Sequence, residues 1–359
     1  MVEKRRGFVR LALVAACIVL HLCWQSQTKT LKEADENDKS EQTKTKSGAA
    51  VEGSPRQHPY LTLLKTKTKD WQAFDSSSTV PLFNDRGYNC TWGKYQSQYS
   101  QKTADMCLHS EKELISRYIR NKGHWDDCFS VSRQYHQSYY NNHTQFVPVH
   151  LEIGANIGSC TMELLLANPD VHIVAFEPFP KNLFCLSSTL LRNPSLQKRV
   201  TIFPVALGSE RTEIDMVVED GPKNMGSARL YSEPGQRPET KTNDAPERIH
   251  VERLDEILAV PQDRVIPFAK MDTQGSECSV LEGMKPSLLP HIARLITEID
   301  VHLLSQFKNC SSSILLGTLR NQGMKLYRYH GVGGALNPRV DETKNSNVVA
   351  IQPKFLHKG

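Results

Sequence analysis

From residue 146 to about residue 355 short apolar runs alternate with helical stretches, and this alternation restricts the fold more than any other feature of the chain. Apolar runs of strand length occupy residues 147–153, 171–176, 200–206, 265–271, 295–301, 324–329 and 348–351. Helical stretches cover 160–167, 182–191 and 278–284. Strands with near-continuous apolar sequence are buried on both faces, which a sheet between two helix layers provides. The pattern therefore predicts a doubly wound α/β sheet of seven strands. A glycine-rich loop at 331–334, with no helix, separates the last two strands. Parallel neighbours need a long crossover, so these two are expected to form an antiparallel hairpin at one edge.

The end of the first strand reads His150-Leu151-Glu152-Ile153-Gly154-Ala155-Asn156-Ile157-Gly158-Ser159 and opens a helix. Gly154 and Gly158 permit a tight turn and close approach to a ligand. The helix start behind them offers free N–H groups and positive dipole character. Glu152 sits at the strand tip, in reach of an amino or ammonium group. The second strand ends in Ala175-Phe176-Glu177-Pro178, and Glu177 follows Gly158 by 19 residues. That spacing suits a carboxylate that accepts the two ribose hydroxyls of a bound nucleotide. A dinucleotide site would want G-x-G-x-x-G, but Asn156 takes the middle position and no third glycine is in register. An adenosine ligand without diphosphate meets both facts, and S-adenosylmethionine is the common one. The P-loop pattern is absent.

Several motifs in order extend this reading. Val205-Ala206-Leu207-Gly208 follows the third strand, and Asn224-Met225-Gly226-Ser227 lies in the insert before the fourth. Arg253-Leu-Asp-Glu-Ile-Leu258 precedes the fourth strand, and Lys270-Met-Asp-Thr-Gln-Gly-Ser-Glu277 with Val280-Leu-Glu-Gly283 closes it. With the two motifs above, the segment from about 146 to 351 resembles the FkbM-type methyltransferase domain. The resemblance implies a Rossmann-like fold, S-adenosylmethionine as methyl donor, and methylation of oxygen, often on sugars or polyketide hydroxyls. It implies cofactor contacts at Glu152, Gly154, Asn156, Gly158, Glu177 and Ala206. Thr273 and Gln274 depart from the family's commoner Val and Glu. The stretch Asp105-Met-Cys-Leu resembles a methyltransferase-like animal subgroup.

Methyl transfer from a sulfonium is an in-line displacement, so the protein must align the reactants and exclude water. An alcohol acceptor also needs its proton removed. Asp272, at the tip of the fourth strand, is the first candidate for that region, because ligands of open α/β sheets collect there. Glu277 either orients the acceptor or caps the next helix. Glu298, Asp300 and His302 alternate and would share one face if the fifth strand runs that far. His302 is then the best general base by chemistry. His150 is read as packed or exposed rather than catalytic.

The remaining sequence concerns placement. Lys4, Arg5, Arg6 and Arg10 flank an apolar run ending at Trp24. This reads as a cytosolic tail (1–7) and a signal anchor (8–24), short against the roughly 20 residues of a full span. The rest is then expected in the lumen of the ER or Golgi as a type II membrane protein, or secreted if the segment is cleaved. Residues 25–80 are polar and without periodicity, which predicts a disordered stem. Residues 81–145 read as an irregular, Cys-containing N-terminal cap that helps bind the acceptor, before the methyltransferase domain at 146–355. Within the cap, 111–120 is expected to form a helix with Leu114, Ile115 and Tyr118 on its inner face. Asn89, Asn142 and Asn309 begin glycosylation acceptor triplets. Seven of the nine cysteines follow the anchor, and disulfides would help the cap most, though pairing is open.

No CxxC pair exists, so no structural zinc site is expected, and the Glu298, Asp300 and His302 face is read as an acceptor or metal patch. A net charge of +5 over 359 residues, without a basic stripe, argues against nucleic acid. Two other function classes stay open: a nucleotide-dependent oxidoreductase, and a non-enzymatic binding module on a degenerate methyltransferase fold.

Overall fold

The computed structural model describes residues 62–63, 71–126, 128, 147–218, 221–230, 246–284, 287–329 and 336–355. A hairpin of β1 (Thr91–Gln96) and β2 (Thr103–Leu108) leads into α1 (Leu114–Lys122). The main domain begins with β3 (Val149–Ile153), α2 (Ser159–Ala167), β4 (His172–Phe176), α3 (Pro180–Arg192) and β5 (Val200–Phe203). Next come β6 (Ala206–Leu207), β7 (Thr212–Val218), β8 (Ala228–Leu230) and β9 (Glu247–Glu252). The remainder is β10 (Phe268–Met271), α4 (Glu277–Glu282), β11 (Arg294–Ile299), α5 (Val301–Ser305), α6 (Ser312–Asn321), β12 (Lys325–Tyr329) and β13 (Ser346–Ile351).

Seven strands form one sheet in the order β12-β13-β11-β10-β3-β4-β5. From β11 through β5 all pairs are parallel, and β13 runs antiparallel to both β11 and β12. This is the Rossmann-like α/β architecture with the expected antiparallel hairpin. Residues 331–334 of its loop lie outside the described residues. Side-chain alternation sorts the strands between two helix layers. Val149, Leu151 and Ile153 of β3 join Leu281 of α4 and Leu315 and Leu316 of α6. Ile173 and Ala175 of β4 face the other way, onto Leu164 of α2 and Leu183 of α3.

Four expectations are corrected. The strand foreseen at 200–206 ends at Phe203, because Pro204 has no N–H for a ladder. Ala206 and Leu207 instead start a separate four-stranded sheet, β6-β9-β7-β8. The stem foreseen to residue 80 ends earlier. Phe74 is buried and exchanges two backbone hydrogen bonds with Ile202, of 2.9 and 2.8 Å, which pairs the outer edge of β5. Trp71 packs edge-on against Phe203 and donates its indole N–H to Glu252. The described part of the cap is not irregular either: β1 and β2 pair over six residues each, and Met106 and Leu108 pack into the α2–α3 core layer. In α1 the buried side chains are Ser116 and Ile119, whereas Leu114 is exposed. Ser116 is drawn inward because its hydroxyl accepts the His109 N–H.

Three disulfides join Cys90–Cys107, Cys128–Cys160 and Cys278–Cys310, and Cys185 is a buried free thiol. Cys128–Cys160 fastens the cap to the first turn of α2. Among the described residues no helix is long and apolar enough to cross a membrane. The expected anchor at 8–24 lies outside them, as does Asn142.

Candidate active site

Chain order reverses between β3 and β10: β4 and β5 extend the sheet to one side, β10 and β11 to the other. At such a switch point the loops beyond the strand tips part and leave a crevice. A cavity of about 900 Å³, counting its open mouth, lies here, lined from both sides of the switch by Gly154, Asn156, Glu177 and Asp272. A drug-sized ligand needs roughly 300–1,000 Å³.

The β3–α2 turn forms one wall. Gly154 has φ 83°, and a Cβ there would lie 1.9 Å from the carbonyl oxygen of Asp272. Glycine is therefore required for β3 and β10 to approach at their tips. Gly154 and Ala155 both donate their N–H to the Phe176 carbonyl, which ties the turn to β4. Asn156 is also left-handed, at φ 53°, a conformation its short polar side chain tolerates. Gly158 caps α2 at φ 89° but packs rather than binds: a Cβ would meet Leu186 of α3 at 2.3 Å.

Two carboxylates lie behind this turn. Glu177 accepts the Asn156 N–H at 2.7 Å on one oxygen, and the Phe179 N–H and Asn182 amide at 3.1 and 3.2 Å on the other. Burial pushes its pKa up, and these three donors oppose the shift. Glu152 accepts the Thr161 hydroxyl at 2.5 Å. Burial raises it to about 7, against the pull of nearby Lys270.

Across the cavity, Asp272 follows β10, and its carboxylate takes Lys270 Nζ at 3.1 Å and Gln274 Nε2 at 2.8 Å. The Asp272 side chain is 36% exposed, toward the cavity. Burial would raise Asp272, but the Lys270 ammonium and the Gln274 amide hold it below the usual carboxylate range. Gln274 also reaches Glu298 Oε2 at 3.3 Å. Burial, with Asp272 nearby, lifts Glu298 to about 7. The two carboxyls are thus driven apart, and Asp272 carries the charge. Gln274 holds φ 55°, a strained backbone for a long side chain, in the loop that shapes this end of the site.

The structure brings Glu152, Gly154, Asn156, Glu177, Ala206 and Asp272 together around the cavity. Glu277 stays behind the wall. It is buried, and its carboxylate accepts the Thr273 and Gly275 N–H groups, both at 2.9 Å, so it shapes the 273–275 loop. Burial lifts it to about 7. The shared face foreseen for Glu298, Asp300 and His302 does not form, because β11 stops at Ile299. Asp300 caps α5 by accepting the Leu303 N–H, which turns His302 onto the exposed helix surface beside Gln306. His150 is buried and stacked on Phe268, and burial pushes it down to about 3.

Sequence reasoning missed three contributors. Lys270 lies within a quoted motif without having been singled out. Met216 of β7, Met225 of the turn before β8 and Leu230 of β8 form an apolar wall. Ile115, Trp125 and Cys128 close the cavity from the cap.

Residues 152–326 match the family model described as Methyltransferase FkbM domain. The chain is similar to the 2-O-methyltransferase NoeI of Sinorhizobium fredii (strain NBRC 101917 / NGR234). The two are 27% identical over 150 residues, covering 39% of this chain and 59% of that protein. It is also similar to Methyltransferase 1 of Beauveria bassiana (strain ARSEF 2860), with 25% identity over 215 residues, 55% of this chain and 80% of that one. The chain thus spans less than two thirds of the length of NoeI. Among solved structures, Methyltransferase FkbM from Methylobacillus flagellatus KT is 18% identical and aligns with TM-score 0.35, covering 56% of this chain and 43% of that one. The match over residues 152–326, together with the two methyltransferase relatives, supports assigning this region to the FkbM methyltransferase family.

Proposed function

We propose that the chain is an S-adenosylmethionine-dependent methyltransferase acting on a hydroxyl of a glycan or another secretory-pathway product. Its catalytic domain would face the ER or Golgi lumen, behind the N-terminal apolar run as a type II anchor. The observation that carries the reading is the Glu177 carboxylate at the tip of β4, acceptor-only and facing a cavity beside a glycine turn. Glu152 and Asp272 line the same cavity. These three acceptors fit a cofactor that offers hydroxyls and cationic groups, and the loop lacks the third glycine of a diphosphate site.

The bound cofactor would supply an electrophilic methyl group on a sulfonium. Glu177 would accept the ribose hydroxyls, and Glu152 would face the ammonium end. Lys270 keeps Asp272 ionised, and Asp272 would take the acceptor's hydroxyl proton on its carboxylate as the carbon–oxygen bond forms. Ile115 and Trp125 of the cap would screen the cavity from water. Oxygen as the acceptor atom is supported by the name of the 2-O-methyltransferase relative. Placement in an oxidising compartment is supported by the three disulfides. The exposed positions of Asn89 and Asn309, each opening a glycosylation triplet, agree with it.

The test is calorimetric titration of the full chain, made in a secretory host, with S-adenosylmethionine beside a Glu177→Ala variant. Micromolar binding that the variant loses is the expected result, followed by transfer of labelled methyl to glycan hydroxyls. A folded chain that binds no S-adenosylmethionine overturns the proposal.

A further inference from the structure

The cap reaches the cofactor site by a second route besides its cavity wall. His109, directly after β2, is buried against α3, where Asn182 and Cys185 lie one turn apart on the same face. His109 Nε2 is 2.9 Å from Asn182 Oδ1, and Asn182 Nδ2 is 3.2 Å from Glu177 Oε1. On the far side of the ring, His109 Nδ1 is 3.5 Å from the Cys185 sulfur.

The polarity of this chain follows from one end. Glu177 only accepts, so Asn182 must present its NH₂ to it and its carbonyl oxygen to His109. His109 must then donate from Nε2, which leaves Nδ1 as an acceptor facing the thiol. Burial agrees at both ends, pushing the imidazole down toward its neutral form and the thiol up to about 12, where it keeps its proton. Every donor points one way, Cys185 to His109 to Asn182 to Glu177, and aligned links polarise one another. His109 is itself held from the cap: its N–H donates to Ser116 Oγ at 3.0 Å, and Arg120 donates to its carbonyl.

We propose that His109 is a positioning residue which anchors the Asn182 side chain through its carbonyl oxygen and thereby holds the Glu177 carboxylate for the cofactor's ribose hydroxyls. The inference rests on the cofactor reading proposed above and extends it: the cap is part of the cofactor site. Without the His109 donor, the buried Asn182 carbonyl oxygen loses its partner, so the side chain is drawn toward another rotamer and Glu177 loses the N–H that helps hold its carboxylate. A core-filling role for His109 would affect folding but would not depend on Asn182.

The experiment measures the dissociation constant of S-adenosylhomocysteine for the full chain by calorimetry, with a thermal melt of each variant. His109→Leu is expected to weaken binding about tenfold, and His109→Gln, which retains an N–H donor, to stay within about threefold of wild type. Asn182→Ala should weaken binding by a similar factor. The double variant His109→Leu/Asn182→Ala should be no weaker than Asn182→Ala alone, since both act through one chain. Losses that multiply in the double variant, or an unchanged constant in His109→Leu, overturn the proposal. Should His109→Leu fail to fold, Asn182→Asp takes its place: it is isosteric, still accepts from His109 and lacks the N–H that Glu177 needs. Unchanged affinity in Asn182→Asp also overturns the proposal. A folded wild type without affinity sinks the cofactor reading and this proposal together, whereas a binding wild type with unaffected variants sinks this proposal alone.

Discussion

Substituting Gly154 by alanine tests whether the closure of β3 on β10 has the tightness described. The added methyl would lie 1.9 Å from the Asp272 carbonyl oxygen and 2.9 Å from its carbon. Both are backbone atoms, so no side-chain rotation relieves the overlap. The strand tips must separate by more than about 1 Å to restore van der Waals distance. That separation strains the 3.0 Å bond from the Asp272 N–H to the Ile153 carbonyl. Holding alanine at φ 83° costs about 1–2 kcal/mol, as a left-handed conformation does for L-residues. Stranding the buried backbone pair adds about 1–3 kcal/mol. At about 2–4 °C per kcal/mol for a domain of this size, the melting temperature should fall on the order of 10 °C. The assay is differential scanning calorimetry of the full chain, with Gly317→Ala as the opposite case. Gly317 lies within α6 with nothing within 4 Å of an added Cβ, so alanine there should raise stability by about 0.5–1 kcal/mol. A Gly154→Ala protein melting within about 2 °C of wild type would show that the turn moves freely away from Asp272, and the reasoning would be wrong.

Phe74→Ala should cost about 3–5 kcal/mol in chemical denaturation, as for a buried aromatic ring; a loss under about 1 kcal/mol would return residues 71–78 to the stem. Cys128→Ser opens a 32-residue link between the cap and α2 and should cost about 3–4 kcal/mol in a thermal melt. An unaltered melt would mean that the cap is held without it. Burial raises Glu152 from an ordinary value of 4.5 to about 7, so between these values the folded chain holds a proton that the unfolded chain releases. Its stabilising contribution is complete below about pH 4.5 and is lost as pH rises through 7. Glu152→Gln should therefore gain stability relative to wild type between pH 5 and 7.5, read as the difference in melting temperature, and a pH-independent difference would refute the assignment.

Legibility differed from element to element. The central strands of the main sheet were readable because they are near-continuous apolar runs, a local property, whereas the edge strand Lys325–Tyr329 is half-buried. The small sheet was not foreseen, although Ile214, Met216 and Val218 alternate with Glu213 and Asp215 in a half-buried strand pattern. Beside near-continuous apolar runs, that weaker signal reads as insert. His302 failed as a candidate because the end of a strand depends on where the next helix caps, and Asp300 provides that cap two residues earlier. Gln274 looked like a weakened position in a motif, whereas in the fold its amide bridges Asp272 and Glu298.

What the sequence by itself determined was the α/β alternation, the edge hairpin, the glycine turn and the spacing from Gly158 to Glu177. These depend on local periodicity, backbone freedom and the fixed rise of strand and helix. Only the tertiary structure decided which cysteines pair, that Phe74 belongs to the sheet edge, that Lys270 keeps Asp272 charged, and that a cap histidine meets α3 beside the chain to Glu177. Those contacts join residues far apart in the chain, and their energies depend on burial and donor direction, which exist only after the sheet and its two helix layers have closed.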